Sequence, residues 1–239
     1  IRGVAAFFIV AKHCNIFNDD VSLASAYYNH FLVEWTAVFV LISGFLFQHL
    51  LPKYEFNKFI RGKAKNVLLP YIIISIPAIL LYTTGLKQNH SWVDLDSLSN
   101  SGFFYSTLFF YFTGSHLGPL WFIPVLFLIF LSSKALSIIG RKETLLIYLI
   151  PVLLLLIGFT KRPINDSNPF LAYLHFLPLY VLGMAIYAKR EALISSSNAN
   201  IYLIICAVLY IAEVNLSLDA TFSIFTKIFL FLFLCSLLQ

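Results

Sequence analysis

The sequence predicts an all-α, polytopic integral membrane protein, a helical bundle with about eight transmembrane helices visible in this chain. Of its 239 residues, 60% are hydrophobic and 11% are charged, whereas a soluble domain is about 45–50% apolar and about 25% charged. A transmembrane helix needs about 20 mostly apolar residues, and the sequence holds eight runs of suitable length and composition. A soluble globular domain is therefore excluded.

The predicted spans follow the apolar runs. Several contain Pro or Gly, which membrane helices tolerate. They cover residues 1–17, 31–51, 67–86, 119–139, 144–160, 170–188, 200–214 and 221–238. The aromatic segment 103–113 is too short to cross a bilayer, so we expect a helix that lies at the membrane surface or re-enters it. Because the chain starts without Met and stops inside an apolar run, we expect a longer protein truncated at both ends.

Lys and Arg residues are distributed unequally between the two sides of the predicted bundle. Eleven are counted on the side of Arg2 and four on the other, namely Lys87, Lys161, Arg162 and Lys227. The positive-inside rule makes the side with eleven cations cytoplasmic. The N-terminal end is then cytoplasmic, and the predicted outer loops are residues 18–30, 87–118, 161–169 and 215–220.

Composition also argues against several other functions. Cys14, Cys206 and Cys235 lie far apart in apolar runs, so neither a disulfide framework nor a metal site is expected. The net charge of +5 is explained by short loops between spans, and therefore predicts no nucleic-acid partner. The partner that this composition does predict is the lipid bilayer.

Arg2 and His13 are the candidate catalytic residues of the first span. Eleven positions are almost three turns of an α-helix, so both side chains lie on one face, about 16 Å apart along the axis. Ionisable groups inside a span indicate function by default, and a histidine takes and returns protons near neutral pH. Two interpretations stay open, since Arg2 also suits a topology anchor and His13 also suits helix packing.

The second span adds Glu34 and the small residues Ser43 and Gly44. Glu34 is an intramembrane charge with which Lys12 or His13 of the first span could pair. Ser43 and Gly44 favour close helix packing, and no partner at triad spacing supports Ser43 as a nucleophile. We expect packing or structural roles for His116 and His175 as well.

The most basic stretch of the chain is KYEFNKFIRGKAK, residues 53–65. Its five cations beside the cytoplasmic face suit anionic lipid headgroups or a multiply charged phosphate ligand. The sequence contains neither a Walker-type loop nor a GxGxxG motif, so any nucleotide must be bound in another way.

Four features in order resemble the integral-membrane acyltransferase family 3, whose members acylate sugars and cell-envelope polysaccharides. They are the R-x10-H spacing of Arg2 and His13, the segment FVLISGFLF, the basic stretch leading into LLPY, and LWFIPVLF. Together they cover residues 2–127, about half of the chain. The sequence departs from the family pattern at Val40 and Asn66.

The resemblance implies a single membrane acyltransferase domain over residues 1–239, part of a protein of about ten helices in the bacterial cytoplasmic membrane. It implies transfer of an acetyl or succinyl group from cytoplasmic acyl-coenzyme A, as donor substrate and not a bound cofactor, to a saccharide hydroxyl. His13 would be the proton acceptor and Arg2 would hold the donor. Family members commonly have a basic residue at the position of Asn66. The role of neutralising the coenzyme phosphates is therefore assigned jointly to Arg61, Lys63 and Lys65.

Two other functions remain open from the residues alone. Buried charges such as Lys12 and Glu34, with helices interrupted by Pro, also suit a transporter or export component for a saccharide or a lipid-linked intermediate. A non-catalytic membrane scaffold is the other alternative, and it predicts that Arg2 and His13 tolerate substitution.

Overall fold

The fold is described from a computed structural model, which covers residues 1–14, 22–160 and 168–239. Within these ranges the chain is helical and has no strand. Helices satisfy every backbone N–H and C=O within one segment, which is required in a hydrocarbon environment without water. The all-α membrane fold class is therefore confirmed.

The described ranges contain fourteen α-helices. In chain order these are α1 (Arg2–Lys12), α2 (Leu23–Leu32), α3 (Trp35–Leu50), α4 (Phe56–Lys63), α5 (Leu69–Thr83), α6 (Leu95–Asn100), α7 (Phe103–Thr113), α8 (Phe122–Leu131), α9 (Ser133–Gly140), α10 (Glu143–Phe159), α11 (Pro169–Ala188), α12 (Arg190–Leu193), α13 (Ser196–Asn215) and α14 (Ala220–Leu237). Short 3-10 helices cover Leu51–Lys53 and Gly118–Trp121, and a π-helix covers Ala64–Leu68.

Five helical segments of the described chain are long and apolar enough to cross a membrane. They are Leu23–Lys53, Phe56–Thr83, Pro169–Ala188, Ser196–Asn215 and Ala220–Leu237. Two further pairs of helices pass the same test only together. The first pair, Phe103–Thr113 and Gly118–Leu131, is bent by 75° at residues 114–117. The second pair, Ser133–Gly140 and Glu143–Phe159, is bent by 113° at residues 141–142. Counting each pair as one span gives up to seven.

Two of the eight predicted spans are shorter than expected. The helix predicted over residues 1–17 is α1, which ends at Lys12 because the apolar run ends at Ala11. The helix predicted over residues 119–139 stops at Leu131, and α9 starts at Ser133. At this break the Ser132 hydroxyl bonds back to the Leu128 carbonyl, a contact that bends helices.

Other boundaries differ because short helices form in segments predicted as loops. The predicted outer loop 18–30 contains most of α2, and the loop 87–118 contains α6 and α7. The aromatic segment 103–113 is indeed a short helix, followed by a sharp bend. Lys227 was expected on the outer side, but it lies inside α14 with 1% of its surface exposed. Lys161 and Arg162 lie outside the described residues.

The chain divides into two compact units. Unit 1 consists of Ile1–Lys53, Leu136–Lys161 and His175–Gln239, and unit 2 of Tyr54–Ala135 and Arg162–Leu174. Unit 1 contains α1 to α3, α10 and α12 to α14 with most of α11, and unit 2 contains α4 to α8.

Unit 1 is built around a close crossing of α3 and α11. A Cβ atom on Gly44 would lie 1.9 Å from the Tyr180 carbonyl oxygen, and one on Gly183 would lie 2.2 Å from the Leu41 carbonyl oxygen. Only glycine permits this backbone approach from both sides. The Ser43 hydroxyl is used within its own helix, where it donates to the Phe39 carbonyl at 2.9 Å. The packing interpretation of Gly44 is therefore confirmed.

Unit 2 has a small core of its own, formed by Ile79, Leu98 and Phe110. His90 fixes the adjoining loop, because its Nε2 donates to the Ser115 carbonyl at 2.9 Å and its Nδ1 accepts two backbone N–H groups. His116 is 2% exposed and donates through Nδ1 to the Phe110 carbonyl at 3.1 Å. These contacts make the long segment after α5 a folded element.

We expect Gly44→Ala to lower the free energy of unfolding by about 3 kcal/mol, because the added methyl overlaps a backbone carbonyl that cannot rotate away. Thermal unfolding of the purified protein in detergent measures this effect. Gly158→Ala in α10 is the matched control, since its Cβ would meet no atom within 4 Å. The control should be neutral or slightly stabilising, and equal losses in both variants would contradict the close crossing.

Candidate functional site

The predicted catalytic pair lies at the two ends of α1 in unit 1. Arg2 is the first residue of α1, and His13 caps its C-terminal end with helical dihedral angles, φ −89° and ψ −3°. Both side chains are exposed. The helical spacing expected from the sequence is therefore present, although His13 stands at the end of the helix and not within it.

Helix α1 packs on α2 and α3 through the face that includes Ala5 and Phe8. Ala5 is fully buried, and it lies on the same stripe as Arg2 and His13 because positions 2, 5, 9 and 13 recur at helical spacing. The Phe8 ring stacks on the Trp35 ring at 4.4 Å and meets the Phe31 ring edge-on at 5.0 Å. The aromatic contact therefore fixes the middle of the helix that carries the candidate pair.

The junction between α2 and α3 is a sharp break. Glu34 has φ 59°, in the left-handed region that residues with a side chain rarely adopt. The Trp35 indole N–H donates to the Phe31 carbonyl at 2.7 Å across this break. Glu34 is 3% exposed. Its predicted pairing with Lys12 or His13 stays a prediction.

A buried carboxylate connects three helices of unit 1. Glu213 of α13 is fully buried, and its carboxylate accepts hydrogen bonds from Ser223, from Thr226 at 3.0 Å and from His30 Nδ1 at 3.1 Å. These donors come from α14 and α2. Donors from two neighbouring helices thus replace water around one buried carboxylate.

The matching cation is Lys227 of α14. Lys227 directly follows Thr226, one of the donors to Glu213, and is 1% exposed. It donates to the Phe31 carbonyl at 2.8 Å and lies over the Phe31 and Trp35 rings, 5.0 Å and 5.3 Å from their centroids. The buried charges of α13 and α14 are thus directed at the break between α2 and α3.

Reasoning from the sequence missed this polar network, which we define as Glu213, Lys227, His30, Ser223 and Thr226. A Glu and a Lys inside the apolar runs YIAEVN and SIFTKIFLF are intramembrane charges, and this signal was available. The contacts that these two residues make could not be predicted, because they depend on how α13, α14 and α2 meet.

The predicted donor-binding residues Arg61, Lys63 and Lys65 belong to unit 2 and lie on a helix, not in a loop. Lys58, Arg61 and Lys65 are exposed and recur at helical spacing, so they form one stripe, here called the basic stripe. Lys63 differs, because its ammonium lies 5.2 Å and 4.7 Å above the ring centroids of Phe59 and Phe130.

The basic stripe runs into the π-helix Ala64–Leu68, which precedes the Pro of LLPY. Such wider turns are rare in helices and are frequent at functional sites. Sequence reasoning found these cations but not their helical placement, because a Lys- and Arg-rich stretch beside a span resembles a loop. The exposed stripe is suited to an anionic phosphate group.

Comparison with known proteins gives one finding. The sequence model of a family described as an acyltransferase domain, acyltransferase family 3, matches residues 1–238. No curated protein and no solved structure gives a significant match. The match includes Arg2, His13 and the basic stripe, and it extends over the second half of the chain as well.

We expect Lys227→Met and Glu213→Gln each to lower the free energy of unfolding by about 3–5 kcal/mol, because both charges are buried on helices that pack together and each variant leaves one of them without a counter-charge. The double variant should lose much less than the sum of the two. Unfolding of all four proteins in detergent measures this coupling as a double-mutant cycle. Strictly additive losses would contradict the electrostatic pairing.

Proposed function

The chain belongs to acyltransferase family 3, and we propose that it is an O-acyltransferase acting on saccharides. In this proposal an acetyl or succinyl group moves from cytoplasmic acyl-coenzyme A to a hydroxyl of a cell-envelope polysaccharide or exopolysaccharide. The observation that carries the proposal is the family match over residues 1–238. The membrane-spanning helices support a multi-pass membrane acyltransferase.

His13 is assigned the role of proton acceptor. As the sugar oxygen attacks the thioester carbonyl, its proton passes to the His13 imidazole. The carbon–sulfur bond then breaks, and the departing thiolate of coenzyme A takes the proton from His13. Each turnover therefore forms one ester and one thiol, and the imidazole returns to its starting state. Its position at the exposed end of α1 makes it accessible to both substrates.

Arg2 and the basic stripe are assigned to the donor. Arg2 is exposed at the opposite end of α1 and always carries a charge. The coenzyme carries several phosphate charges, which suit the exposed cations Arg61 and Lys65. Lys63 is held over two aromatic rings, so its part is to anchor the helix as well as to add positive potential. The unequal charge distribution supports a cytoplasmic location for Arg2 and the stripe, in the bacterial cytoplasmic membrane.

A transporter for a saccharide or a lipid-linked intermediate is the second candidate. Its specific support is the burial of Glu213 and Lys227, since charged residues within membrane helices also mark substrate and proton pathways. Transport of labelled saccharide into vesicles without acyl-coenzyme A, abolished by His13→Ala, would favour this candidate.

We expect His13→Ala to abolish acyl transfer while the protein still reaches the membrane. The full-length protein and the variant are expressed in a host without its own copy, and ester-linked acyl groups on envelope glycans are measured by mass spectrometry. The mass of the ester identifies the acyl group. His49→Ala is the matched control. His49 is exposed, and its Nδ1 lies 2.8 Å from the Tyr187 hydroxyl. Equal ester in wild type and His13→Ala would contradict the assigned role.

We expect the double variant Arg61→Gln and Lys65→Gln to raise KM for acyl-coenzyme A about tenfold, because charge-assisted hydrogen bonds to phosphate are lost. The value of kcat should change little. Steady-state kinetics of the purified protein at low and high salt separates the two parameters, and the difference should shrink at high salt. Lys134→Gln is the control, an exposed cation of α9. An equal rise in KM for the control would contradict a specific phosphate site.

A further inference from the structure

We propose that Lys227 is a positioning residue of the transferase, which holds α1 and its candidate pair in place through the Phe31 carbonyl and an aromatic stack. This inference rests on the proposed function for its catalytic consequence. It concerns unit 1 alone, and every contact in it joins residues of that unit.

Lys227 contacts the end of α2 at the break before α3. Carbonyls in the last turn of a helix lack the N–H partners that the next turn would supply. The Phe31 carbonyl lies in that last turn, and it receives the Lys227 ammonium at 2.8 Å and the Trp35 indole at 2.7 Å. A charged donor at a helix C-terminus is stabilising.

The second step is the aromatic pair beneath the ammonium. Phe31 and Trp35 lie on the two sides of the break, and their ring centroids are 5.5 Å apart. The Lys227 ammonium is within 5.3 Å of both centroids. A desolvated cation over two rings is attracted to both. Lys227 therefore fixes the orientation of the two rings relative to each other.

The third step connects these rings to α1. Phe8 stacks on Trp35 with an interplanar angle of 25° and meets Phe31 edge-on at 89°. Phe8 thus contacts both rings that Lys227 holds. His13 follows on the same helix, at its C-terminal cap. A displacement of the rings would shift α1 and, with it, the imidazole.

A competing explanation is that Lys227 only compensates the buried charge of Glu213. The double variant Lys227→Met and Glu213→Gln distinguishes these two roles. This variant removes both of these charges, so neither Glu213 nor Lys227 is left as a buried charge without the other. It also removes the contacts of Lys227 with the Phe31 carbonyl and the two rings, while Met retains an apolar side chain of similar length.

The native cysteines supply a readout that does not depend on activity. Cys14 follows His13 and is exposed, and Cys235 lies on α14, eight residues beyond Lys227. Alkylation of the full-length protein by a membrane-permeant maleimide, quantified at each cysteine by mass spectrometry, reports the position of the His13 end of α1. Cys235 reports general loosening of the fold.

We expect the double variant Lys227→Met and Glu213→Gln to regain most of the stability lost in the single variants, yet to alkylate Cys14 severalfold faster at an unchanged rate for Cys235. Acyl transfer should show a kcat about a hundredfold lower, because small displacements of a catalytic group have effects of that size. KM for acyl-coenzyme A should stay the same. Glu213→Gln alone, which retains Lys227 and its contacts with Phe31 and Trp35, should raise the Cys14 rate less than the double variant does.

Phe8→Leu tests the same pathway without a change of charge, and it should raise the Cys14 rate in the same direction. Combined with Lys227→Met and Glu213→Gln, it should add little further, since both act through one stack. Arg190→Met is the control, because it removes a cation from the Tyr187 ring, 4.4 Å from its centroid, elsewhere in unit 1.

A double variant with wild-type kcat and wild-type Cys14 alkylation would overturn the proposal and leave Lys227 a charge partner only. An equal rise at Cys14 and Cys235 would overturn it as well. Absence of acyl transfer in the wild-type protein would refute the proposed function, but the alkylation rates would still test whether Lys227 positions α1.

Discussion

The burial of the Glu213 carboxylate among α13, α14 and α2 is the constraint on which much of unit 1 depends. A carboxylate without solvent contact is tolerated only when hydrogen bonds and an opposite charge replace water. Ser223, Thr226 and His30 supply the hydrogen bonds, and the buried Lys227 follows Thr226 on the same helix. Because the donors come from α14 and α2 and the carboxylate comes from α13, the carboxylate fixes how these three helices meet. Lys227 of α14 also donates to the Phe31 carbonyl in the last turn of α2, so α14 contributes both to the helix contacts and to the break.

Packing without polar groups supplies the second constraint on unit 1. At the crossing of α3 and α11, Gly44 and Gly183 each face a carbonyl of the other helix at a distance that excludes a side chain. Helices in lipid have no hydrophobic drive to associate with one another, so close contact of this kind is the main source of their cohesion. The crossing is fixed by shape, whereas α2, α13 and α14 are fixed by charge.

The candidate chemistry is distributed over the two units. Unit 1 contains Arg2 and His13 on a short helix that contacts its neighbours through Ala5 and Phe8, and unit 2 contains the basic stripe on the first turns of a long helix. In both units the candidate residues lie on helices held by aromatic side chains, Trp35 beneath α1 and Phe130 beneath Lys63. Groups on rigid elements keep their geometry better than groups on loops, which is what a transfer reaction requires.

The sequence by itself determined the fold class, the positions of most spans, the R-x10-H spacing of Arg2 and His13, and the family to which they belong. Apolar runs and helical periodicity are local properties, so they can be read along the chain. The tertiary structure alone decided that Lys227 and Glu213 are buried, that Glu213 bonds His30, Ser223 and Thr226, and that the helix breaks fall at Glu34 and Ser132. These features depend on contacts between residues far apart in the sequence, such as His30 with Glu213 and Lys227 with Phe31. A charge within an apolar run indicates that a polar partner is needed. Only the packing of the helices determines which residue that partner is.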